Sequence, residues 1–491
     1  MELTTSFMAL LDGFQHAFTA PSFATFRLLM TGWILSHRHR YVTDLIVSSD
    51  STGNGHFSGY HRFFSEARWN IDHLWKQLAV TLVCRLIGPD ATILLAGDDT
   101  LCNKRGLKLF GAGMHHDPLI SSKAMKLVSW GHDWVTLCLL IVHPWWAPTK
   151  VFALPICMRL YKNRQGVTKG KAKKSTAKKG TAKKGAAKKG AAKKSKAKQG
   201  AAATGKAARK SQPGSGRKKA SPRQNKAETP GKTAHRTRPE LMLEMLQLAA
   251  SWFPDRRFLF VGDSLYAGQS VLSHLPENVD MVGQVFPTGA MYEPAPPYPG
   301  CGRRRKKGER QSTRDEWASD GSRWKRLKFD QYGLHTTLET KTRNGLYYKA
   351  GKDRLLKFAL TRDAAGKRPT QIFYCTDLTM SVREVLSHYS RRWSIEVTHY
   401  DTKQHLGLED PANRTQLAVQ RTAPMAMFLY SLTVLWYAEH GHDHLQFPER
   451  PWYTRKSEPS FADMLTTLRR LSWEDYLSPV RKTSGVVKNA R

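Results

Sequence analysis

The chain has 491 residues, more than a single ordinary hydrophobic core accommodates, so roughly two to four structural units are expected. Hydrophobic residues at 40% and aromatics at 10% exclude a wholly disordered chain, and a formal charge of +38 excludes one indifferent to polyanions, pointing to nucleic acid or an acidic membrane face. The charge is uneven: residues 169–236 carry twenty Lys and four Arg against one Glu.

The six cysteines show no CxxC or Cys/His spacing, so a reducing compartment is expected and zinc is not. The N-terminus lacks the basic start and apolar stretch of a secretory signal. The longest apolar runs, near 134–142 and 424–438, fall short of the roughly 18–20 residues that span a bilayer. A soluble intracellular protein without membrane contact is the expectation.

Residues 1–88 place apolar positions at helical spacing in "ATFRLLMTGWILSH" and "YHRFFSEARWNIDHLWKQLAVTLVCRL", separated by the turn-rich "SSDSTGNGHFS". They predict an N-terminal helical domain with Trp69, Leu74, Trp75 and Leu78 in its core. Residues 89–162 hold three strand-like runs: "ATILLAGDDT" (91–100), closed by acids, then "WVTLCLLIVH" (134–143) and "VFALPICMRLY" (151–161). Between them "GMHHDP" (113–118) reads as a loop rather than a metal site, because adjacent histidines rarely ligate one ion.

Composition then breaks. Residues 163–238 have almost no large apolar side chain, and Lys-Lys recurs every five residues from Lys173 to Lys194. Such a stretch cannot offset its ordering entropy, so a disordered basic linker is predicted, similar in composition to a linker-histone tail. Residues 239–287 resume with a helix in "RPELMLEMLQLAASWF", a buried strand from Phe258 to Val261 ending on Asp263, a short helix, and the strand "VDMVGQV" (279–285).

Residues 288–376 open with Pro/Gly punctuation and the basic patch "RRRKKGER", then give the short strands "RWKRLKF", "GLYYKA", "LLKFAL" and "QIFYC", a β-rich insertion. Residues 377–440 contain a long helical stretch from near Val382 and the apolar helix "APMAMFLYSLTVLWYAEH" (423–440), expected in the core; 441–491 read as a C-terminal tail.

Within the long helical stretch, "HYSRRWSIEVTHYDTKQHLG" (388–407) sets one glutamate among cations and aromatics. On a continuous helix Tyr389, Arg392, Glu396 and Lys403 share one face, within roughly 60° of one another. A bland alternative is a solvated face with Arg392 and Glu396 paired at i, i+4, worth about 0.2–0.5 kcal/mol. Asp98, Asp99 and Asp263 each have a bland alternative too, as turn or helix caps. Carboxylates closing buried strands, however, are poor stabilisers unless a cation neutralises them.

The order strand, strand, strand, helix, strand, helix, strand, insertion, helix is similar to a ribonuclease-H-like α/β layout. That layout is a mixed sheet with flanking helices, in which Asp98 and Asp263 close neighbouring strands. The spacing of Tyr389, Arg392, Glu396 and Lys403 resembles the YREK signature of DDE-type insertion-sequence transposases. "GDDT" (97–100) and "VGDS" (261–264) resemble that group's first and second Asp motifs, and "SGYHRFFSEARW" resembles the N-terminal segment of one of its subfamilies. The resemblance covers most of residues 55–440, without the Lys-rich segment.

It implies a transposase catalysing Mg²⁺-dependent DNA strand cleavage and strand transfer at the ends of an insertion sequence. Asp98, Asp263 and Glu396 would hold two Mg²⁺, with Mn²⁺ able to substitute. Asp98 is preferred over Asp99 because Thr100 completes an Asp, any residue, Thr/Ser pattern. Tyr389, Arg392 and Lys403 would contact DNA, and the N-terminal helices would read the element ends. Double-stranded DNA, a homodimer assembled on it, and the cytoplasm of a prokaryote, at the nucleoid when DNA-bound, complete the implied setting. Two other readings stay open: a histone-like, non-specific DNA-binding protein with a decayed transposase core, and a non-transposing nuclease of the same fold.

Overall fold

The computed structural model describes residues 2–118, 120–122, 124–163, 235–331, 334–366, 368–447 and 456–487. The disordered linker expected over 163–238 thus lies, from 164 to 234, outside the described residues.

Five helices come first: α1 (Thr5–Asp12), α2 (Ala20–Leu35), α3 (Val42–Ser48), α4 (Phe57–Ser65) and α5 (Ile71–Leu86). Strands β1 (Ile93–Asn103), β2 (Gly113–His116), β3 (Val128–Val142) and β4 (Val151–Tyr161) follow, then α6 (Arg238–Trp252), β5 (Phe258–Gly262), α7 (Gln269–Leu272) and β6 (Val279–Gln284). The insertion contributes α8 (Arg314–Ser319), β7 (Lys325–Gln331), β8 (Leu334–Leu346), α9 (Tyr348–Gly351) and β9 (Leu355–Asp363). After it come β10 (Gln371–Cys375), α10 (Val382–Arg391), α11 (Ser394–Leu406), α12 (Gln416–Trp436) and α13 (Phe461–Val487).

The strands form one mixed sheet in the order β2-β3-β1-β5-β6-β10-β9-β8-β7, with β4 also paired to β3. β1 runs antiparallel to β3 and parallel to β5, which runs parallel to β6. The predicted class, a ribonuclease-H-like mixed sheet with flanking helices, is the one observed. Every residue of β5, "FLFVG", is buried, as a central parallel strand covered on both faces requires.

The core lies where α12 crosses the sheet. Its side chains are buried without interruption from Arg421 to Trp436, and Ser431 Oγ donates to the Pro155 carbonyl of β4 at 2.8 Å. Phe428 meets Phe14 edge-on at 5.0 Å and Trp75 at 6.5 Å, so the N-terminal helices and the sheet share this core; Trp69, Leu74, Trp75 and Leu78 are buried in it. The Arg421 guanidinium donates to the carbonyls of Ala67 and Trp69 and lies 4.3 Å from the Trp69 ring, pinning α12 to the α4–α5 connection. All six cysteines are free, and Cys102, Cys138, Cys157 and Cys375 are buried. Among the described residues no helix is long and apolar enough to cross a membrane.

Two local expectations are corrected, and one unexpected strand is found. "GMHHDP" is not simply a loop: Gly113–His116 pair with β3 as an edge strand. "GLYYKA" is not a strand of its own, because the strand ends at Leu346 and Tyr348–Gly351 turn helical. The strand that precedes it, β8, is polar by composition yet paired on both sides. It is stabilised by cations lying on aromatic rings, Arg343 over Trp317 at 3.8 Å and Lys341 over Trp324 at 4.6 Å, which an apolar pattern does not register.

Candidate active site

The parallel register of β1 and β5 runs from Ile93/Phe258 to Gly97/Gly262. The next residue on each strand is an aspartate, so Asp98 and Asp263 stand at neighbouring positions where the ladder stops. Because strand side chains alternate, Asp98 and Asp99 face opposite sides of the sheet. Asp98 Oδ1 accepts the Asp99 amide at 2.9 Å, and Asp263 Oδ1 accepts the Leu265 and Tyr266 amides at 2.9 and 3.3 Å, making a tight turn after β5.

The helix expected to carry the YREK spacing is in fact two. A capping box of Ser381 and Glu384 starts α10, which ends at Arg391, and α11 begins at Ser394. Across the junction the bonds tighten to i→i−3: Arg392 to Tyr389, Trp393 to Ser390, Ile395 to Arg392 and Glu396 to Trp393. The four side chains therefore do not lie on one uniform helical face.

Arg392 Nη1 donates to Asp98 Oδ2, an ion pair in which both side chains are largely buried. Against the cost of burial, the charge of Asp98 first, then those of Tyr389, Asp263 and Glu396, raise the Arg392 pKa. Glu396 itself is exposed, one helical turn beyond. Tyr389 donates to Gln284 Oε1 at 3.1 Å and its ring packs 4.6 Å from Phe373, toward β6 and β10. Lys403 Nζ donates to the Leu101 carbonyl of β1 at 2.6 Å and stands 3.7 Å from Glu409.

Burial pushes the Asp98 pKa up to about 7; Arg392 opposes the shift, and Asp263 and Asp99 add to it. Asp99 is pushed up to about 6 by burial and by Asp133, with Arg238 and the Tyr266 hydroxyl opposing. Asp99 is already committed, with Tyr266 Oη donating to its Oδ1 at 2.8 Å and Arg238 Nε 3.2 Å from its Oδ2.

These donors are all hard carboxylate oxygens, the kind that suits Mg²⁺, and the like charges crowded around buried Asp98 favour a cation. Asp98 and Asp263 therefore fit a divalent ion, while Glu396 stands one helical turn beyond Arg392. Among the described residues, no three His, Cys, Asp or Glu side chains are grouped closely enough to hold a metal as they stand.

Sequence reasoning missed a second buried network on the Asp99 side. Arg238 Nε donates to Asp133 Oδ2 at 2.7 Å, His115 Nδ1 lies 3.4 Å from that oxygen, and the guanidinium stacks 4.4 Å from the Tyr161 ring. One signal existed: "HD" at 132–133 sets two ionisable residues directly before the apolar run that starts at Trp134.

No curated protein matches the chain. The sequence profile described as DDE superfamily endonuclease matches residues 13–346, a span that includes both aspartate-bearing strand ends and stops before α10 and α11. A match over about two thirds of the sequence shows the family: the chain belongs to the DDE superfamily endonucleases.

Proposed function

We propose that this DNA-acting endonuclease is a transposase that cuts DNA at the ends of an insertion sequence and joins those ends to target DNA. The observation that carries the reading is the Arg392–Asp98 pair, which brings the Glu396-bearing helix to the strand ends of Asp98 and Asp263. Asp98, Asp263 and Glu396 would hold Mg²⁺ or Mn²⁺, whose chemistry is to stabilise the attacking and leaving oxygens of a phosphoryl transfer.

The remaining roles fall to the chain's own cations. Three carboxylates repel a phosphodiester, and Arg392, already among them, has the planar donor fork to hold a phosphate oxygen beside Asp98. Lys403, tied to the β1 backbone, supports the strand that carries Asp98 and adds positive potential along it. Tyr389 orients the start of the α10–α11 junction through Gln284. A homodimer on paired ends, in a prokaryotic cytoplasm at the nucleoid, belongs to the same proposal.

Glu396→Gln tests it. The variant is expected to abolish metal-dependent nicking of DNA carrying element ends while DNA binding persists; undiminished nicking rejects the assignment. A 3′-end joining assay separates transposase from a nuclease of the same fold, which cuts without joining.

A further inference from the structure

The hydrogen-bonded ladder between β1 and β5 ends at Gly97/Gly262, one residue before the two aspartates it presents. Backbone pairing thus places the two residues side by side but does not fix where their carboxylates point. Two carboxylates in such a setting repel each other and splay unless something else holds them.

We infer that Asp99 and Tyr266 form a clasp that positions Asp98 and Asp263 as a pair, an inference that rests on reading those two aspartates as metal-holding. The Asp99 amide donates to Asp98 Oδ1 at 2.9 Å, the Tyr266 hydroxyl donates to Asp99 Oδ1 at 2.8 Å, and the Tyr266 amide donates to Asp263 Oδ1 at 3.3 Å. These bonds join the end of β1 to the turn after β5 where the ladder has stopped.

Tyr266 is suited to the task because it is fully buried and cannot swing away, and because its hydroxyl is already aimed at Asp99 Oδ1. Arg238 completes the clasp from α6. It lies 3.2 Å from Asp99 Oδ2 and donates to Asp133, so the Asp99 charge is balanced on the side of the sheet away from Asp98. With one oxygen on Tyr266 and the other on Arg238, Asp99 is kept from competing for the ion. Tyr266 and Asp99 are thus positioning residues, not catalytic ones.

The test uses the full chain and Mn²⁺ as the probe, with binding read by electron paramagnetic resonance of free Mn²⁺. Tyr266→Phe is expected to weaken Mn²⁺ binding about tenfold, the lower end for lost outer-shell partners of metal ligands. Its DNA nicking is expected to need more Mn²⁺ for half-maximal rate yet to reach the wild-type rate at saturation. Asp99→Ala should match it, whereas Asp99→Asn, which keeps an acceptor for the hydroxyl, should retain most of the affinity.

Wild-type Mn²⁺ affinity in Tyr266→Phe and Asp99→Ala, together with lost affinity in Asp98→Asn, overturns the clasp and spares the site. A rate lowered equally at every Mn²⁺ concentration also overturns it, as the mark of a merely structural role. Should Asp98→Asn bind Mn²⁺ as well as the wild type, the aspartate pair itself is misassigned and the clasp falls with it.

Discussion

Asp98 is a side chain whose placement opposes stability. Burial lifts its pKa from 3.8 to about 7 despite Arg392, so between those values the folded chain binds a proton that the unfolded chain releases. Stability from this group is therefore fully present below about pH 4 and is lost as pH rises through 7. Asp99, raised to about 6, adds to the slope in the same direction. Replacing Asp98 by Asn removes the charge and leaves an acceptor for Arg392. The variant is expected to be more stable than wild type at pH 8, by on the order of 1–3 kcal/mol, and to show a shallower loss of stability from pH 5 to 8 in urea titrations. A variant less stable at pH 8 would mean that the Arg392 pair outweighs burial. The residue stood out in the sequence only in combination, as the acid that closes an apolar run with Thr100 two positions on, in a layout that sets it beside Asp263. Its neighbours did not: nothing local marks Arg238, 140 positions away from Asp98, as the partner of Asp99.

Among the elements, α6 packs on β3 and β4 and reaches β1 through Met242, a contact that depends on one missing side chain. A Cβ at Gly97 would lie 2.4 Å from Met242 Cε and 2.8 Å from Phe260 Cε2. The methionine tip can yield, but the Phe260 ring sits inside β5 and cannot withdraw without moving the strand. Gly97→Ala is expected to cost about 1–3 kcal/mol in urea unfolding, the usual range for overpacking a filled core. It should also lower nicking, since the strain falls one residue from Asp98; an unchanged unfolding midpoint would mean that α6 is not seated here. The break between α10 and α11 is the element the sequence concealed, having neither Pro nor Gly at Arg392–Trp393 to announce it. Its cause is tertiary: α10 buries Val385 and Leu386 toward β6 and β10, while α11 buries Ile395 and ties Thr398 to the Ala153 carbonyl of β4 at 2.8 Å. One straight helix cannot follow both patches across a twisted sheet. The left-handed Gly407, φ 60°, then ends α11 in the way a C-terminal glycine predicts.

For the whole molecule the dominant fact is charge, and most of it lies in residues 169–236 rather than beside the acids. Two readings of that segment diverge sharply. If it is the functional part of a DNA-compacting protein, removing it removes the function; if the enzyme core acts on its own, removal changes only the electrostatic share of DNA affinity. The flanks allow a clean deletion, because the rings of Tyr161 and His235 stand 5.9 Å apart, so a turn of about four to six Gly/Ser residues can replace 164–234. Each phosphate neutralised by Lys or Arg contributes roughly 0.9 to the slope of log K against log salt, so losing even a third of two dozen cations should flatten that slope by several units. The shortened chain is therefore expected to bind duplex DNA more weakly near 0.15 M salt, with a smaller salt dependence, and to retain metal-dependent nicking at low salt. Measuring binding by fluorescence anisotropy across a salt series, alongside nicking, separates the outcomes. Nicking lost at every salt concentration, in a deletion that melts like the full chain, would place the chemistry's DNA contacts in the Lys-rich segment rather than around Arg392.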